Sequence, residues 1–213
     1  MINMYGKEGV HRPKLLFPNE KFKYTGLFSN GLELFDYMDR DAVLSGLLDL
    51  FSNPNVCQYN QEKARSTLDE IERDWQLAMG EQMSSRIYNY HIINSRINKY
   101  IGIIHNISYL GIKEYFPGLL DHVGNIEKSW LLEFYSIPEA WGVKIMPHMV
   151  TEMLKIHVEQ GYREFYALVN PENDRCLKFL VKLGFRLYQF ENERGKGMYL
   201  DEHNRVLYRL VIQ

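Results

Sequence analysis

Two cysteines in 213 residues, Cys57 and Cys176, cannot build a disulfide framework, which points to a reducing, cytoplasmic setting. No apolar run approaches the roughly 18 residues of a membrane helix, and residues 1–24 lack the apolar core of a signal peptide. An excess of one charge is also missing. Against 25 Lys and Arg stand 27 Asp and Glu, a net charge of −2, so there is no basic surplus for general nucleic-acid binding. The chain has no Gly-x-x-x-x-Gly-Lys-[Ser/Thr], no Gly-x-Gly-x-x-Gly opening a helix, and no Gly-x-Ser-x-Gly. Those absences remove the usual phosphate loop, dinucleotide fingerprint and nucleophile elbow. The seven histidines are scattered, and His148 with Glu152 one turn later supplies only two ligands, so no metal is expected.

What remains is the composition of a globular chain. Hydrophobic residues make up 46% and charged residues 24%, which excludes global disorder. The length suits one α/β domain, or a domain with an added N-terminal piece. Aromatics reach 14%, with 15 Tyr, whose apolar ring and polar tip suit sheet faces and partly wet clefts.

Residues 1–30 are broken by Gly6, Gly9, Pro13, Pro18 and Gly26 and read as an arm, ahead of a domain over residues 31–213. Residues 33–37 make a short strand candidate. Asp39 or Asp41 can cap a helix reaching Phe51, because Val43, Leu44, Leu47, Leu48 and Phe51 share one face. Ala64, Leu68, Ile71, Trp75 and Ala78 predict a second helix over 61–79, ended by Gly80. The period then changes. Residues 86–94 and 98–107 predict an antiparallel hairpin, and 109–125, with Gly111, Pro117, Gly118 and Gly124, reads as a loop. Residues 130–137 predict a strand. Met146, Met149, Val150, Met153, Leu154 and His157 predict an amphipathic helix over 147–160. The near-continuous apolar run 164–170 predicts a central strand covered on both faces. A helix over 174–183 and strands over 185–191 and 205–212 complete the pattern, the last two strands joined by a polar link holding Gly195 and Gly197. The order βααββ, then βαβαββ, is that of a mixed α/β (α+β) domain.

The stretch Asn170-Pro171-Glu172-Asn173-Asp174-Arg175-Cys176-Leu177-Lys178-Phe179-Leu180-Val181-Lys182-Leu183-Gly184-Phe185 resembles the helix-and-Gly-Phe signature of the GNAT N-acetyltransferase superfamily. Upstream, Phe134-Tyr135-Ser136-Ile137-Pro138-Glu139-Ala140-Trp141-Gly142 is similar to the strand and cofactor-loop approach of its ribosomal-protein-alanine acetyltransferase branch. Residues 39–59, with Ser52-Asn53-Pro54-Asn55-Val56, resemble that branch's first helix and its ending. The resemblance runs from Glu33 to the C-terminus. It implies a mixed, mostly antiparallel sheet of six or seven strands, with a central splayed parallel pair and helices on both faces. The parallel pair would be residues 130–137 and 164–170, and acetyl-CoA would lie in their gap as co-substrate, its diphosphate on the amides opening the next helix.

On that resemblance the acetyl-CoA contacts fall on Tyr135, Ile137, Gly142, Val143, Lys144, Ile145, Met146 and Asn173. The family's Gln/Arg-x-x-Gly-x-Gly/Ala pattern reads Trp141-Gly142-Val143-Lys144-Ile145-Met146 here, and only Gly142 fits the branch. Lys144, at the first Gly position, either blocks the phosphate or supplies a cation to it. Pro147 is acceptable in a helix's first turn. Asn173 can cap the following helix or reach a ligand.

Acetyl transfer to an amine needs a base, donors for the oxyanion and a proton for the leaving thiolate. The family's usual tyrosine acid position holds Leu180, while Cys176 stands where the branch has Ser and can donate weakly. Glu133, inside an apolar strand, is the candidate base, and desolvation is expected to raise its pKa. Tyr88, Tyr90 and Tyr109 are candidate walls of the acceptor cleft. The expectation is an acyl-CoA-dependent N-acetyltransferase acting on a protein N-terminus or small amine, as a monomer or homodimer, without nucleic acid or membrane. The alternative is a catalytically degenerate relative that binds CoA, another ligand or a protein partner.

Overall fold

Among the described residues, seven strands assemble into one sheet, in the order Tyr24–Leu27, Ile87–Asn94, Lys99–Ile107, Ser129–Ser136, Glu164–Val169, Val206–Val211 and Arg186–Leu187. The structure, a computed structural model, describes residues 24–27, 39–60, 63–84, 86–94, 99–123, 128–142, 145–192 and 195–212. Within the stretch expected as an arm, β1 (Tyr24–Leu27) pairs with β2 (Ile87–Asn94) at the sheet edge. The strand expected over residues 33–37 lies outside the described residues.

Helix α1 (Arg40–Phe51) forms as its periodicity predicts, burying Val43, Leu44, Leu47 and Leu50. Asp39 holds its N-cap position, although the side chain makes no capping bond. Helix α2 (Pro54–Cys57) is a single turn capped by the Asn53 side chain, which accepts from the Asn55 N–H at 3.0 Å. The second expected helix is displaced: α3 spans Leu68–Met83 rather than 61–79. Thr67 and Glu70 explain its start, because each side chain accepts from the other's backbone N–H, at 3.3 and 3.1 Å. Gly80 lies inside this helix and does not end it.

β2 and β3 (Lys99–Ile107) form the expected hairpin, with a bulge between Ile92 and Ile93. The segment 109–125 is not a simple loop. Ser108 opens the short helix α4 (Tyr109–Tyr115), and a 3₁₀ turn follows at Pro117–Leu119. Burial of Ile112 and Leu119 holds that segment down. β4 (Ser129–Ser136), α5 (Ile145–Glu159), β5 (Glu164–Val169) and α6 (Asp174–Lys182) follow as expected, with α5 starting two residues early. The strand expected over 185–191 is divided. β6 (Arg186–Leu187) pairs with β9 (Val206–Val211), whereas β7 (Gln189–Asn192) pairs with β8 (Gly195–Met198) in a separate hairpin. The glycine-bearing link is therefore partly strand.

β4 sorts its side chains onto two faces with the period-2 alternation of a strand. Trp130 meets His157 of α5 and Phe134 meets Phe179 of α6, with ring centroids 4.9 and 5.1 Å apart. On this face Met149, Val150, Met153 and Leu154 are buried, each such side chain stabilising the fold by about 1.5–3 kcal/mol. The Asn106 amide donates to His157 Nε2 across 2.9 Å and ties α5 to the sheet, with burial holding the imidazole pKa down to about 4. Leu131, Glu133 and Tyr135 face the opposite way, toward α1–α4. Leu131 joins a core with Ile107, Ile112, Leu119 and Tyr166, and Tyr135 meets Phe51 of α1.

Candidate active site

Every neighbouring pair in the sheet is antiparallel except β4 and β5. These two run parallel and pair only from Ser129 with Glu164 to Leu132 with Ala167. Beyond that point they part. Glu133–Ser136 remain on the β3 ladder, and Leu168–Val169 on the β9 ladder. Their facing backbone edges have no ladder partner in each other, an arrangement buried chain rarely tolerates without a ligand or solvent. A cleft of about 80 Å³ occupies the gap. Leu132 to Tyr135 form one wall and Ala167 to Asn170 the other, with Asn173 and Cys176 of α6 and Val56, Tyr59 and Asn60 after α1 closing it. Glu133, Tyr135, Cys176 and Asn173, predicted separately from the sequence, thus line one cleft.

Glu133 is the most polar feature of that wall. Its side chain is only 13% exposed, and its Oε2 lies 3.2 Å from Lys63 Nζ. The expected rise in its pKa is not found. Burial does push the carboxyl up, but Lys63, His105 and Arg205 together outweigh it, leaving the group below its ordinary value. His105 sits directly opposite Glu133 in the β3–β4 register, and Asn89 opposite His105 in the β2–β3 register. The His105 Nδ1–H donates to Asn89 Oδ1 at 2.5 Å. Burial, reinforced by Lys63, holds this imidazole near 4, so it is neutral at physiological pH. Asn89, His105, Glu133 and Lys63 form a polar row across the sheet.

Asn60 donates from Nδ2 to the Tyr135 hydroxyl at 2.9 Å, pinning the ring against Phe51 and His105. Asn173 performs the capping role: its Oδ1 accepts the Cys176 N–H at 3.1 Å. Burial pushes the Cys176 thiol up to about 12, so it stays protonated and is a poor nucleophile. Tyr109 opens α4, outside the cleft lining. The side chains of Tyr88 and Tyr90 lie outside the described residues.

At the far end of β4 the chain turns through Pro138–Ala140 to Trp141 and Gly142. Gly142 has φ +79°, the left-handed region that glycine enters without a Cβ penalty. The Trp141 indole N–H donates to the Ser136 carbonyl at 3.0 Å, and the Arg175 guanidinium stacks on the indole 3.9 Å from its centroid. Ile137, Ile145 and Met146 are buried, and Pro147 lies in the first turn of α5. Val143 and Lys144 lie outside the described residues.

Sequence reasoning missed Lys63, His105, Asn89 and Asn60. His105 could have been found once the β3–β4 register was known, as the residue facing Glu133. Lys63 carries no local signal, because it follows α2 and reaches the sheet only through the tertiary fold. Among the described residues no group of three or more His, Cys, Asp or Glu converges on a metal-sized site, and no helix is long and apolar enough to cross a membrane.

Beyond the last ladder pair the parted strands leave backbone donors and acceptors free of each other, and the left-handed Gly142 follows at the turn. Residues 32–186 match the sequence profile of the acetyltransferase (GNAT) domain. Among solved structures, the chain is similar to aminoglycoside acetyltransferase AAC(6')-Ib in complex with coenzyme A, at 12% identity and TM-score 0.61, covering 88% of this chain and 94% of that one. Spermidine N-acetyltransferase from Vibrio cholerae, solved with CoA and spermine, gives 15% identity and TM-score 0.58 over 91% and 96% of the two chains. Ribosomal-protein-S5-alanine acetyltransferase from Vibrio fischeri gives 11% and 0.54 over 92% and 96%. At these identities the likeness speaks for the fold. Compared by sequence with curated proteins, the chain matches none.

Proposed function

The chain belongs to the acetyltransferase (GNAT) domain family, and from that premise we propose that it moves an acetyl group from acetyl-CoA directly to a primary amine, either a protein N-terminus or a small amine. The observation that carries this reading is the parting of β4 and β5 beside a buried carboxylate. Acetyl-CoA supplies the activated acyl group as its thioester. Its amide-bearing arm would lie along the backbone edges left open between Glu133–Ser136 and Leu168–Val169, with Tyr135 on that wall and Ile137 just beyond the strand's end. Gly142 to Met146, including Lys144, and the start of α5 would take its diphosphate, since helix N-termini favour anions. Asn173 and Cys176 would flank the sulfur end. The Cys176 thiol, protonated at neutral pH, serves there as a weak hydrogen-bond donor.

Glu133 is the group placed to hold and relieve the acceptor ammonium of its proton. Its low pKa makes it a modest base but a strong ammonium anchor. That same ion pairing favours a second reading, in which the chain binds CoA without transferring the acetyl group. The site has no metal role in either reading, and the protein works in the cytoplasm as a monomer or homodimer.

Thermal unfolding with acetyl-CoA and CoA, followed by thiol release in the presence of spermidine, an aminoglycoside and an alanine-terminal peptide, tests both. Ligand at 100 times its Kd should add about 2.7 kcal/mol. Stabilisation with thiol release supports transfer. Stabilisation without release from any amine selects the binding reading, and absence of stabilisation at millimolar ligand refutes both.

A further inference from the structure

Lys63 is a primary amine held by the carboxylate proposed to receive the acceptor's proton. It reaches that carboxylate from the turn after α2, where its own N–H donates to the Asn60 carbonyl at 3.0 Å. Asn60 in turn lines the cleft and holds the Tyr135 hydroxyl. Lys63 is thus tied at its backbone to Asn60 and at its nitrogen, across 3.2 Å, to Glu133 Oε2, and both of these partners line the cleft. The lysine side chain is 35% exposed and the carboxylate 13%. Lys63 is thereby paired with a residue that lines the cleft while part of its side chain stays open to solvent.

We infer that Lys63 is a modification site of the protein's own cleft: its ε-amine takes an acetyl group from acetyl-CoA bound between β4 and β5. The inference rests on the acetyltransferase reading above. In the step, the Lys63 ammonium gives one proton to Glu133 and then uses its lone pair to form the N–C bond to the thioester carbonyl. The C–S bond breaks and its electron pair leaves with the sulfur, which takes up the second proton that the nitrogen sheds on becoming an amide. Glu133 returns its proton to water. The balance is one lysine ammonium and one acetyl-CoA giving one acetyl-lysine, one CoA thiol and one proton, with no oxidant or reductant. Acetylation removes the positive charge from the row Asn89, His105, Glu133 and Lys63, leaving the buried carboxylate free to hold an incoming ammonium. The cleft then opens to external amines only after its own amine has been capped.

Lys155 is the internal control. It is also paired with a carboxylate, Glu152 at 2.6 Å, but on the surface of α5 and 61% exposed. The purified chain is incubated with acetyl-CoA and followed by peptide mass spectrometry, alongside thermal unfolding with CoA and thiol release with the amine panel. In a parallel run, reductive methylation of both lysines is measured with and without CoA, which carries no acetyl group. The expected result is a 42-Da gain on Lys63 at least tenfold faster than on Lys155. Its first-order rate should be independent of protein concentration, and the gain should be lost in Lys63→Arg and slowed at least tenfold in Glu133→Gln. CoA should slow methylation of Lys63 at least threefold and leave Lys155 unchanged. Lys63 acetylation no faster than that of Lys155, or a rate proportional to protein concentration, overturns the inference. Should CoA bind and external amines be acetylated while Lys63 stays unmodified, this inference falls and the acetyltransferase reading stands. Should CoA fail to bind at all, both fall.

Discussion

Replacing Lys63 by methionine removes the ammonium beside Glu133 while keeping most of the stem. Two unit charges 3.2 Å apart attract by about 5 kcal/mol at an effective dielectric of ~20. Water reaches the lysine, which is 35% exposed. The net effect therefore falls between that of an exposed pair and that of a fully buried one, at about 1–2 kcal/mol. With the ammonium gone, the Glu133 carboxyl moves up, because burial is then less opposed. The sign of the stability effect follows from linkage. With Lys63 present the folded-state pKa is depressed, so the pair stabilises the protein above the unfolded pKa and loses that contribution as pH falls through the folded one. In Lys63→Met, burial is opposed only by His105 and Arg205. The variant is therefore less stable than the parent at pH 7.5, and the gap narrows as pH drops below about 5. Urea unfolding followed by tryptophan fluorescence at a series of pH values measures this. An equal gap at pH 7.5 and pH 4 would assign the loss to packing of the stem and refute the charge argument.

Three other substitutions probe separate parts of the fold. Gly46 in α1 faces Tyr100 so closely that an added methyl would overlap the ring's own Cβ. Gly46→Ala should cost about 1–3 kcal/mol, and a variant of parental Tm would show that α1 stands further from β3. At Gly142, φ is +79° with nothing within 4 Å of an added Cβ, so Gly142→Ala should cost about 1–2 kcal/mol from backbone strain alone. Unchanged unfolding there would deny the left-handed turn. Arg175, stacked on Trp141 at the end of the gap, should help hold the CoA phosphates. Arg175→Ala is expected to weaken CoA binding by roughly five- to tenfold at low salt, and by less at 0.5 M salt. Calorimetric titration at both salt concentrations checks it, and identical affinities would remove Arg175 from the site.

The main architecture was legible where hydrophobic period and chemistry agree. Met149, Val150, Met153 and Leu154 mark α5 at helical spacing, and all four are buried. The apolar run of β5 announces a strand covered on both faces, with helices on one side and Leu131, Tyr166 and Leu207 in the core of the other. Local turn chemistry was harder to read. The Thr67–Glu70 reciprocal cap sets the start of α3 six or seven residues beyond the apparent periodic start, and Gly80 and Gly111 were read as breaks where each lies within a helix. The cleft was legible as far as strand residues carry it. Glu133 and Tyr135 share a face by simple alternation, and Cys176 follows Asn173 around one helical turn. The charge state of Glu133 was not legible, because it depends on Lys63, seventy residues away in sequence, and on His105 from the neighbouring strand.

The short parallel ladder has a mechanical consequence. Among the described residues, the ladder between the wing β1-β2-β3-β4 and the wing β5-β9-β6 is only four residue pairs long. A molecule lying in the gap and bonding to both edges acts as a rivet between two half-sheets, so occupancy changes the stiffness of the whole protein as well as the chemistry at one end. Backbone amides at Glu133–Ser136 and Leu168–Val169, and those around the joint at Leu132 and Ala167, should exchange with solvent as one cooperative unit when the gap is empty. On the acetyltransferase reading, binding and release of CoA would fasten and loosen the fold along this one seam.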